Sequence, residues 1–432
     1  MSTLKTQIAR NFVRLYTHPA LRRLRRAKAT LVRKLTGRAA QVHYFHQADD
    51  PYSHLCVQVL ERLAEAYDIR LTPHLVNPPQ DSAAPERARL AHWSLRDAGT
   101  LARAYGLQAP TTETGRLPLS AVQAAEAALA AALDKGTFIA DAFGISAALW
   151  LGRPAPSNCA SPQRVAECKA QGDALRQSRG HYLGGTFFYG GEWYWGLDRL
   201  HFLEERLREE GLCHQAASPL LAPVHDIALA PLQGQRPAPG TTLDYFCSFR
   251  SPYTYLALPR ARALAAHYGA ELRVRFVLPM VMRGLPVPVE KRLYIVSDVA
   301  REAQRLGMTF GNAVDPVGTP VERGYALLHR AMALGKGVEF AASFLQGVWA
   351  DGLDAGTDAD LNTIAARAGI DATWVQQALR NTEWQAVAAA NREELLALDL
   401  WGVPSFRVNK LPGQWGQDRL WIIEQDLRST LQ

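Results

Sequence analysis

A serine followed by a proline marks the point where two runs of different character meet in the second half of the chain. In FCSFRSPYTYLALPRA, residues 246–261, an apolar run stops near Ser251-Pro252 and an alanine- and leucine-rich run begins. Serine is a preferred N-cap and proline a preferred first helical residue, so the pattern predicts a helix that begins at Pro252. The N–H groups and the positive dipole end of such a helix favour an anion. Ser251 is therefore either a plain N-cap or part of a site for a reactive anionic group.

The elements that must position Ser251 occur twice in the chain. The sequence from Val42 aligns without a gap to the sequence from Leu243, at a constant offset of 201 residues. The coinciding pairs include Tyr44/Tyr245, Phe45/Phe246, Pro51/Pro252, Tyr52/Tyr253, Leu55/Leu256, Leu63/Leu264, Tyr67/Tyr268 and Val76/Val277. Each copy has the order strand, helix, strand, long alanine-rich helical stretch, two short strands and final helix. We therefore predict an α/β chain of two tandem units, each with a mixed sheet and an inserted α-helical subdomain.

Composition and the repeat divide the chain into four segments. A length of 432 residues with 48% hydrophobic residues is enough for at least two globular cores. The predicted segments are a basic leader at 1–40, a first domain at 41–215, a linker bearing Pro, Gly and Gln at 216–241, and a second domain at 242–432.

The net charge of +7 belongs to the leader. Residues 1–40 hold eleven of the 48 Lys and Arg residues and no carboxylate, so 37 basic and 41 acidic residues remain elsewhere, a balance of −4. We expect no nucleic-acid partner. Leu21, Leu24, Leu31 and Leu35 recur at helical spacing among the arginines, as do Ile8, Phe12 and Leu15 before His18-Pro19. The leader either lies on an anionic membrane surface or an acidic partner, or is a solvated helix whose apolar side packs on the protein.

Cysteine and histidine spacing argues against two kinds of site. The five cysteines are scattered without a CxxC pair, which argues against a disulfide framework and against a dithiol redox centre. No metal-ligand spacing is present, so we expect no metal. No run reaches the roughly 18 apolar residues of a membrane span. We expect a cytoplasmic protein, peripheral to the membrane if the leader binds lipid.

Three motifs of the second copy resemble those of a known family. SPYTYLA, WGVPSF and WGQDRL, in this order, resemble the 2-hydroxychromene-2-carboxylate isomerase and kappa-class glutathione transferase branch of the DsbA-like thioredoxin-fold superfamily. The resemblance covers residues 243–430, and residues 42–207 resemble the family more faintly. It implies tandem thioredoxin-like units and a glutathione-dependent isomerase or transferase acting on an electrophilic aromatic or unsaturated carbonyl substrate. A DsbA-like protein oxidoreductase, which the lack of a dithiol disfavours, and a non-catalytic thioredoxin-fold adaptor are the alternatives.

The resemblance also implies roles for single residues. Ser251 stands where redox relatives have their first cysteine, and would hydrogen-bond the sulfur of glutathione. Val403 and a cis Pro404 would pair with the cysteinyl part of glutathione as an added strand does. The γ-glutamyl end would be held by the turn Trp415, Gly416, Gln417 and Asp418. Because Gly196, Asp198 and Arg199 repeat this turn in the first copy, bracing of the last helix is the alternative.

The two copies differ at the predicted site, and the substrate side is less specific. Asp50 stands where the second copy has Ser251, and a carboxylate would raise the pKa of a bound thiol by like-charge repulsion. Thr186 is aligned with Pro404. We therefore interpret the first copy as a scaffold or substrate-side domain without the chemistry. The candidate substrate-binding residues of the second copy are Tyr253, Arg283, Lys291 and Tyr294, with solvated charges as the alternative for the two cations.

Overall fold

The computed structural model describes residues 4–112, 116–154, 156, 158–215 and 218–432. It divides into two compact units, which we call the N-unit (residues 23–224 and 288–291) and the C-unit (residues 1–22, 225–287 and 292–432). The predicted leader, of which residues 1–3 lie outside the described part, is thus shared between the units. The predicted linker, of which residues 216 and 217 lie outside it, is divided after residue 224. Over the described residues, none of the helices is both long enough and apolar enough for a membrane span.

Two helices form the leader. Helix α1 spans Leu4–Thr17 and helix α2 spans Pro19–Leu35, so Pro19 opens the second helix as its first residue. Polar contacts within the C-unit hold α1. Arg10 Nε donates to Asn312 Oδ1 at 2.6 Å, and Ser297 Oγ donates to the Tyr16 hydroxyl at 3.0 Å.

The apolar residues of the leader lie on the solvent side of its helices. The side chains that are more than half exposed include Ile8, Phe12 and Leu15 in α1 and Leu24, Leu31 and Leu35 in α2. Ion pairs with the rest of the N-unit occupy the other side of α2: Arg26 pairs with Glu192 at 2.7 Å and with Glu209 at 3.7 Å, and Arg33 pairs with Glu210 at 3.4 Å. The expectation that the apolar side of the leader packs on the protein is therefore wrong for these residues, because arginines take that place.

The N-unit has a βαβ crossover, a helical insertion and a terminal ββα segment, as the repeat predicts. Its elements are β1 Gln41–His46, α3 Pro51–Val57, α4 Leu60–Ala66, β2 Arg70–Leu75, α5 Arg87–Tyr105, α6 Leu119–Lys135, α7 Phe138–Trp150, α8 Pro162–Ser178, β3 Thr186–Tyr189, β4 Glu192–Trp195 and α9 Leu200–Glu209. Its sheet has the order β2-β1-β3-β4. Strand β1 is parallel to β2 and antiparallel to β3, which is antiparallel to β4.

The C-unit repeats this order with a larger insertion. Its elements are β5 Thr242–Cys247, α10 Pro252–His267, β6 Glu271–Phe276, α11 Val289–Arg305, α12 Thr319–Ala333, α13 Gly337–Gln346, α14 Asp358–Arg367, α15 Ala372–Ala378, α16 Trp384–Ala397, β7 Ser405–Val408, β8 Gln414–Trp415 and α17 Leu420–Arg428. Its sheet has the order β6-β5-β7-β8 with the same strand directions. The predicted fold class, α/β with two tandem thioredoxin-like units, is confirmed.

The central strands are buried on both faces, which explains their continuous apolar sequence. Every residue of β5 after Thr242 is buried, and helices cover both sides of such strands. The exception in composition is Asp244, which is 2% exposed. Its carboxylate accepts from Arg275 Nε at 3.2 Å and from Arg407 Nη2 at 2.6 Å. This buried charge is tolerated because two guanidinium groups on the neighbouring strands neutralise it.

A buried glutamate in the last helix of each unit binds a segment of the predicted linker. In the N-unit, Glu204 of α9 accepts from the Tyr67 hydroxyl at 3.0 Å and from the backbone N–H groups of residues 221 and 222 at 2.9–3.2 Å. In the C-unit, Glu424 of α17 accepts from the Tyr268 hydroxyl at 2.9 Å and from the N–H groups of residues 228 and 229 at 2.6 Å. Much of the segment between the domains is therefore fixed to one unit or the other.

Candidate active site

Ser251 caps the helix that the sequence predicts. The turn after β5 closes with a hydrogen bond from the Ser251 N–H to the Ser248 carbonyl at 2.9 Å. Ser251 has extended backbone angles, and its Oγ accepts from the Thr254 N–H at 3.3 Å. Pro252 is the first residue of α10. As the N-cap, Ser251 places its hydroxyl at the positive end of the α10 dipole. Because Ser251 is only partly buried, its hydroxyl stays accessible to a ligand.

The loop before β7 lies opposite the Ser251 hydroxyl. The Val403–Pro404 peptide bond is cis, as the resemblance implied. Ser251 Oγ donates to the Val403 carbonyl oxygen at 3.3 Å, so the sequence-predicted Ser251, Val403 and Pro404 are brought together. The Pro404 carbonyl accepts from the Gly416 N–H at 2.9 Å, which joins this loop to the turn after β8.

The turn from Trp415 to Asp418 is bound to the rest of the site, but its side chains differ in availability. Gly416 has φ +115°, a conformation that favours glycine. Gln417 is 1% exposed, and its Oε1 accepts from Arg260 Nη1 at 2.8 Å. The Asp418 side chain is 27% exposed and lies 3.5 Å from the Arg419 guanidinium. Of the two polar side chains, only Asp418 is exposed enough to meet a ligand directly.

The predicted substrate-side residues are dispersed. The Tyr253 hydroxyl donates to Asp298 Oδ2 at 2.8 Å, and Tyr52 makes the same bond to Asp97 in the N-unit. Arg283 Nη2 donates to the Trp401 carbonyl at 3.2 Å, which places it against the loop that carries Val403.

The other two predicted substrate-side residues are Tyr294 and Lys291. Tyr294 is buried in α11. Lys291 groups with the N-unit, where its Nζ donates to the Ala83 carbonyl at 2.8 Å and burial lowers its pKa to about 8. Arg283 is thus hydrogen-bonded to the loop before β7, and Lys291 to the backbone of the N-unit.

Sequence reasoning missed a tryptophan pair and an ion pair beside the site. The rings of Trp401 and Trp415 are 4.7 Å apart, and a Cβ on Gly402 would overlap the Trp415 ring. The sequence contains the Trp401-Gly402 dipeptide before Val403, but it does not show that the Trp415 ring packs against Gly402 and leaves no room for a side chain there. Arg250, directly before Ser251, makes a bidentate pair with Asp315 at 2.8 Å.

The equivalent place in the N-unit has different chemistry. Asp50 caps α3, and its Oδ2 accepts from the N–H and the hydroxyl of Ser53 at 2.8 and 2.7 Å. Burial raises the pKa of Asp50 to about 6. The residue opposite it is Gly185, whose carbonyl accepts from the Gly196 N–H at 2.8 Å as that of Pro404 does from Gly416.

The alignment of Thr186 with Pro404 is therefore wrong by one residue. Phe45 pairs with Thr186, and Phe246 pairs with Ser405. Since Phe45 and Phe246 are equivalent, Thr186 corresponds to Ser405 and Gly185 to Pro404. One of the two extra residues of the second copy falls before this strand, where sequence alone gives no register.

Two buried histidines flank Asp50 in the sequence, each four residues from it. His46 ends β1, and its Nδ1 is 3.0 Å from the Tyr44 hydroxyl. His54 lies in α3, and its Nδ1 is 2.9 Å from Ser146 Oγ. Neither ring is exposed to solvent, and burial lowers the pKa of His46 to about 3 and that of His54 to about 4. The C-unit has Cys247 and Tyr255 at these positions.

Comparison with known proteins finds a similar family for the second copy. Residues 242–428 match the family model of the DSBA-like thioredoxin domain. None of the curated proteins gives a significant match. A solved 2-hydroxychromene-2-carboxylate isomerase is 21% identical and covers 43% of this chain and 94% of its own, with a TM-score of 0.37.

A second similar structure is the cytosolic disulfide reductase DsbM from Pseudomonas aeruginosa. It is 22% identical and covers 44% of this chain and 95% of its own, with a TM-score of 0.35. Its structure with GSH is 20% identical and covers 44% and 96%, with a TM-score of 0.33. The second copy is thus similar to DSBA-like thioredoxin domains over residues 242–428.

Proposed function

We propose that the C-unit is a glutathione-dependent isomerase or transferase that acts on an electrophilic aromatic or unsaturated carbonyl substrate. The observation that carries the proposal is the position of the Ser251 hydroxyl. It lies at the amino end of a sixteen-residue helix and faces the backbone of the cis Val403–Pro404 loop. A thiolate bound beside this loop would receive the hydrogen bond that Ser251 now donates to the Val403 carbonyl, and it would lie at the favourable end of the helix dipole.

The residues of the site are suited to the sulfur, the cysteinyl backbone and the γ-glutamyl end of glutathione. Ser251 would donate to the sulfur, the backbone of Val403 and Pro404 would pair with the cysteinyl part, and the partly exposed Asp418 carboxylate would bind the ammonium of the γ-glutamyl end. The buried Gln417 side chain is held by Arg260, so its contribution would come from the main chain. Bound glutathione would supply the sulfur that adds to the electrophilic carbon of the substrate. If the new carbon–sulfur bond breaks again after bond rotation, the product is an isomer. If the substrate instead loses another group, glutathione stays on the product and the reaction is a transfer.

Ser251 would act on the pKa of the bound thiol. A hydroxyl that donates to the thiolate stabilises the charged form, and the dipole of α10 acts in the same direction. Arg283, held against the Trp401 carbonyl, is our candidate for binding an acidic or phenolic substrate, with Tyr253 as a secondary candidate.

The thiol content of the C-unit favours this function over disulfide exchange. Between residues 225 and 432 the sequence has one cysteine, Cys247. Cys247 is buried, and burial raises its thiol pKa above the usual range. A dithiol oxidoreductase needs a second, accessible sulfur, so the DsbA-like oxidoreductase is the weaker alternative. The free cysteines of both units also fit a reducing compartment such as the cytosol.

The Ser251→Ala variant tests the proposal. The intact protein should bind glutathione in calorimetry, and the absorbance of the thiolate should titrate below the pKa of free glutathione. In Ser251→Ala we expect the pKa of the bound thiol to rise. The free energy of unfolding should fall by only about 1 kcal/mol, because an N-cap is lost.

Asp50→Ala is the matched control, since Asp50 occupies the equivalent cap of the N-unit. It should leave the thiol titration unchanged. Failure of the intact protein to bind glutathione would contradict the proposal and favour the adaptor. Binding with an unchanged thiol pKa in Ser251→Ala would reduce Ser251 to a helix cap.

A further inference from the structure

Helix α2 packs on the N-unit with its charged side and leaves its apolar side in solvent. Arg26 and Arg33, seven residues apart on one side, make the ion pairs with Glu192 and Glu210. Leu24, Leu31 and Leu35 are 65, 57 and 78% exposed. An amphipathic helix on a globular surface ordinarily buries its apolar stripe. The inverted orientation of α2 leaves that stripe available to a partner that is not part of the N-unit.

The spacing makes these leucines one continuous stripe. Positions 24, 28, 31 and 35 follow intervals of four, three and four residues, which keep side chains on one side of a helix. Lys28 completes the row, and Val32, 50% exposed, borders it. Arg26 and Arg33 lie on the opposite side. We call the row of Leu24, Lys28, Leu31, Val32 and Leu35 the outer face of α2.

The charges around the outer face restrict the partner. The exposed cations of this region are Arg23, Arg25, Lys28, Lys34 and Arg38, and the sequence has no carboxylate before Asp49. A second copy of α2 would bring cations against cations, and no acidic residue of the helix could compensate for this repulsion. An anionic surface with an apolar interior complements both features. The headgroups bind the cations, and the acyl boundary receives the leucines.

We propose that the outer face of α2 is a docking surface for anionic lipid bilayers. The helix lies in the plane of the interface, with Leu24, Leu31 and Leu35 inserted below the headgroups and the lysines and arginines among them. The ion pairs of Arg26 and Arg33 hold the N-unit to the back of the helix, so the bound helix carries the protein with it.

Helix α1 shows the same inversion independently. Ile8, Phe12 and Leu15 follow intervals of four and three residues and are 59, 53 and 55% exposed. Val13, Tyr16 and Thr17, by contrast, are partly or fully buried in the C-unit. Arg14 is the exposed cation of this helix. An apolar outer side thus recurs in a helix that is fixed by different contacts.

Vesicle co-sedimentation of the full chain tests the proposal. The probes are vesicles of phosphatidylcholine alone and of phosphatidylcholine mixed with phosphatidylglycerol. We expect binding to the mixed vesicles that weakens as salt is added, because surface charges are screened over about 8 Å at physiological ionic strength. The triple variant Leu24→Gln/Leu31→Gln/Leu35→Gln should bind at least tenfold more weakly, since it loses the inserted apolar groups. Lys28→Gln/Lys34→Gln should lose about fivefold for each charge and should depend less on salt.

The matched control replaces exposed apolar residues elsewhere in the N-unit. Leu119 and Leu151 are 72 and 40% exposed, and Leu119→Gln/Leu151→Gln should bind vesicles as the parent protein does. Circular dichroism and glutathione affinity should be the same in all variants, so the outcome is separate from the proposed catalytic function. Equal binding to both vesicle types, no binding at low salt, or equal binding by the leucine variant would overturn the proposal. Self-association that the leucine variant abolishes would also overturn it, since a second copy would then cover the face.

Discussion

The N-unit should lose stability in mild acid because of His46 and His54. Both side chains are buried, and their pKa values fall from 6.5 to about 3 and about 4 on folding. A base whose pKa is lowered by folding is protonated first in the unfolded chain. The contribution of each histidine is therefore complete above pH 6.5 and is lost as the pH falls toward the folded pKa.

The size of the effect follows from these pKa values. At pH 5 the unfolded histidine is 1.5 pH units below its pKa, and at ~1.36 kcal/mol per unit each histidine loses about 2 kcal/mol of stability. The two together lose about 4 kcal/mol. Asp50 acts in the opposite direction. Because its pKa rises to about 6 on folding, its protonation in the folded state adds about 1.4 kcal/mol of stability at pH 5 relative to pH 8. His43 and His74, whose pKa values are also lowered to about 4, add in the direction of His46 and His54.

Thiol labelling separates the two units in one experiment. Cys56 is buried in the N-unit and Cys247 in the C-unit, so each becomes reactive when its own unit opens. Urea unfolding of the full chain at pH 8 and pH 5, followed by a pulse of a pyridyl disulfide and mass spectrometry, gives a midpoint for each thiol. We expect the Cys56 midpoint to fall at pH 5 by more than the Cys247 midpoint.

A histidine variant identifies the groups responsible. His46→Gln/His54→Gln is neutral at every pH, so the difference between pH 8 and pH 5 at Cys56 should shrink by about 4 kcal/mol, although the variant is less stable at pH 8. His329→Gln in the C-unit is the control and should leave the Cys56 difference unchanged. Equal acid shifts at the two thiols, or an undiminished shift in the double variant, would refute the reasoning.

Two further predictions concern the C-unit. Gly402→Ala should lower its stability by about 1–3 kcal/mol and weaken glutathione binding, because the new Cβ overlaps the Trp415 ring and displaces the loop that carries Val403; unchanged urea midpoint and affinity would count against this. Asp244→Ala should cost about 1.5–3 kcal/mol, measured by the Cys247 midpoint, since it removes the buried carboxylate that two guanidinium groups share and leaves them only Glu394 of their two carboxylate partners. Glu271→Ala removes an exposed ion pair and should cost less than about 1 kcal/mol, and a similar loss in both variants would show that burial is not the cause.

The parts of the site that could be predicted from sequence are those fixed by local chemistry. A serine before a proline specifies the cap of α10, and the 201-residue offset places equivalent strands and helices in both units. The cis Val403–Pro404 bond came from the family resemblance. These features depend on residues close together in the chain or on motifs seen elsewhere.

The remaining features depend on tertiary contacts that leave no periodic signal. Gln417 was expected at the ligand, but Arg260, 157 positions away, takes its side chain. Lys291 was a candidate for binding substrate, and sequence gave no sign that its Nζ donates to the Ala83 carbonyl. The spacing of the leader shows that a helix has an apolar side, but periodicity does not say which side faces the protein. In α2, the side that faces the protein is the one that carries Arg26 and Arg33, because these residues form ion pairs with the N-unit.

The two glutamates that bind the connecting segment also determine where the chain could be divided. A fragment that ends at residue 215 would keep Glu204 but lose the N–H donors of residues 221 and 222, leaving a buried carboxylate poorly satisfied. A fragment that begins at 242 would do the same to Glu424, whose donors are at 228 and 229. To keep these donors, a fragment that contains Glu204 has to extend past Ala222, and one that contains Glu424 has to begin before Ala228. Within the connecting segment, these two carboxylates, rather than the ends of the helices and strands, limit where the chain can be cut.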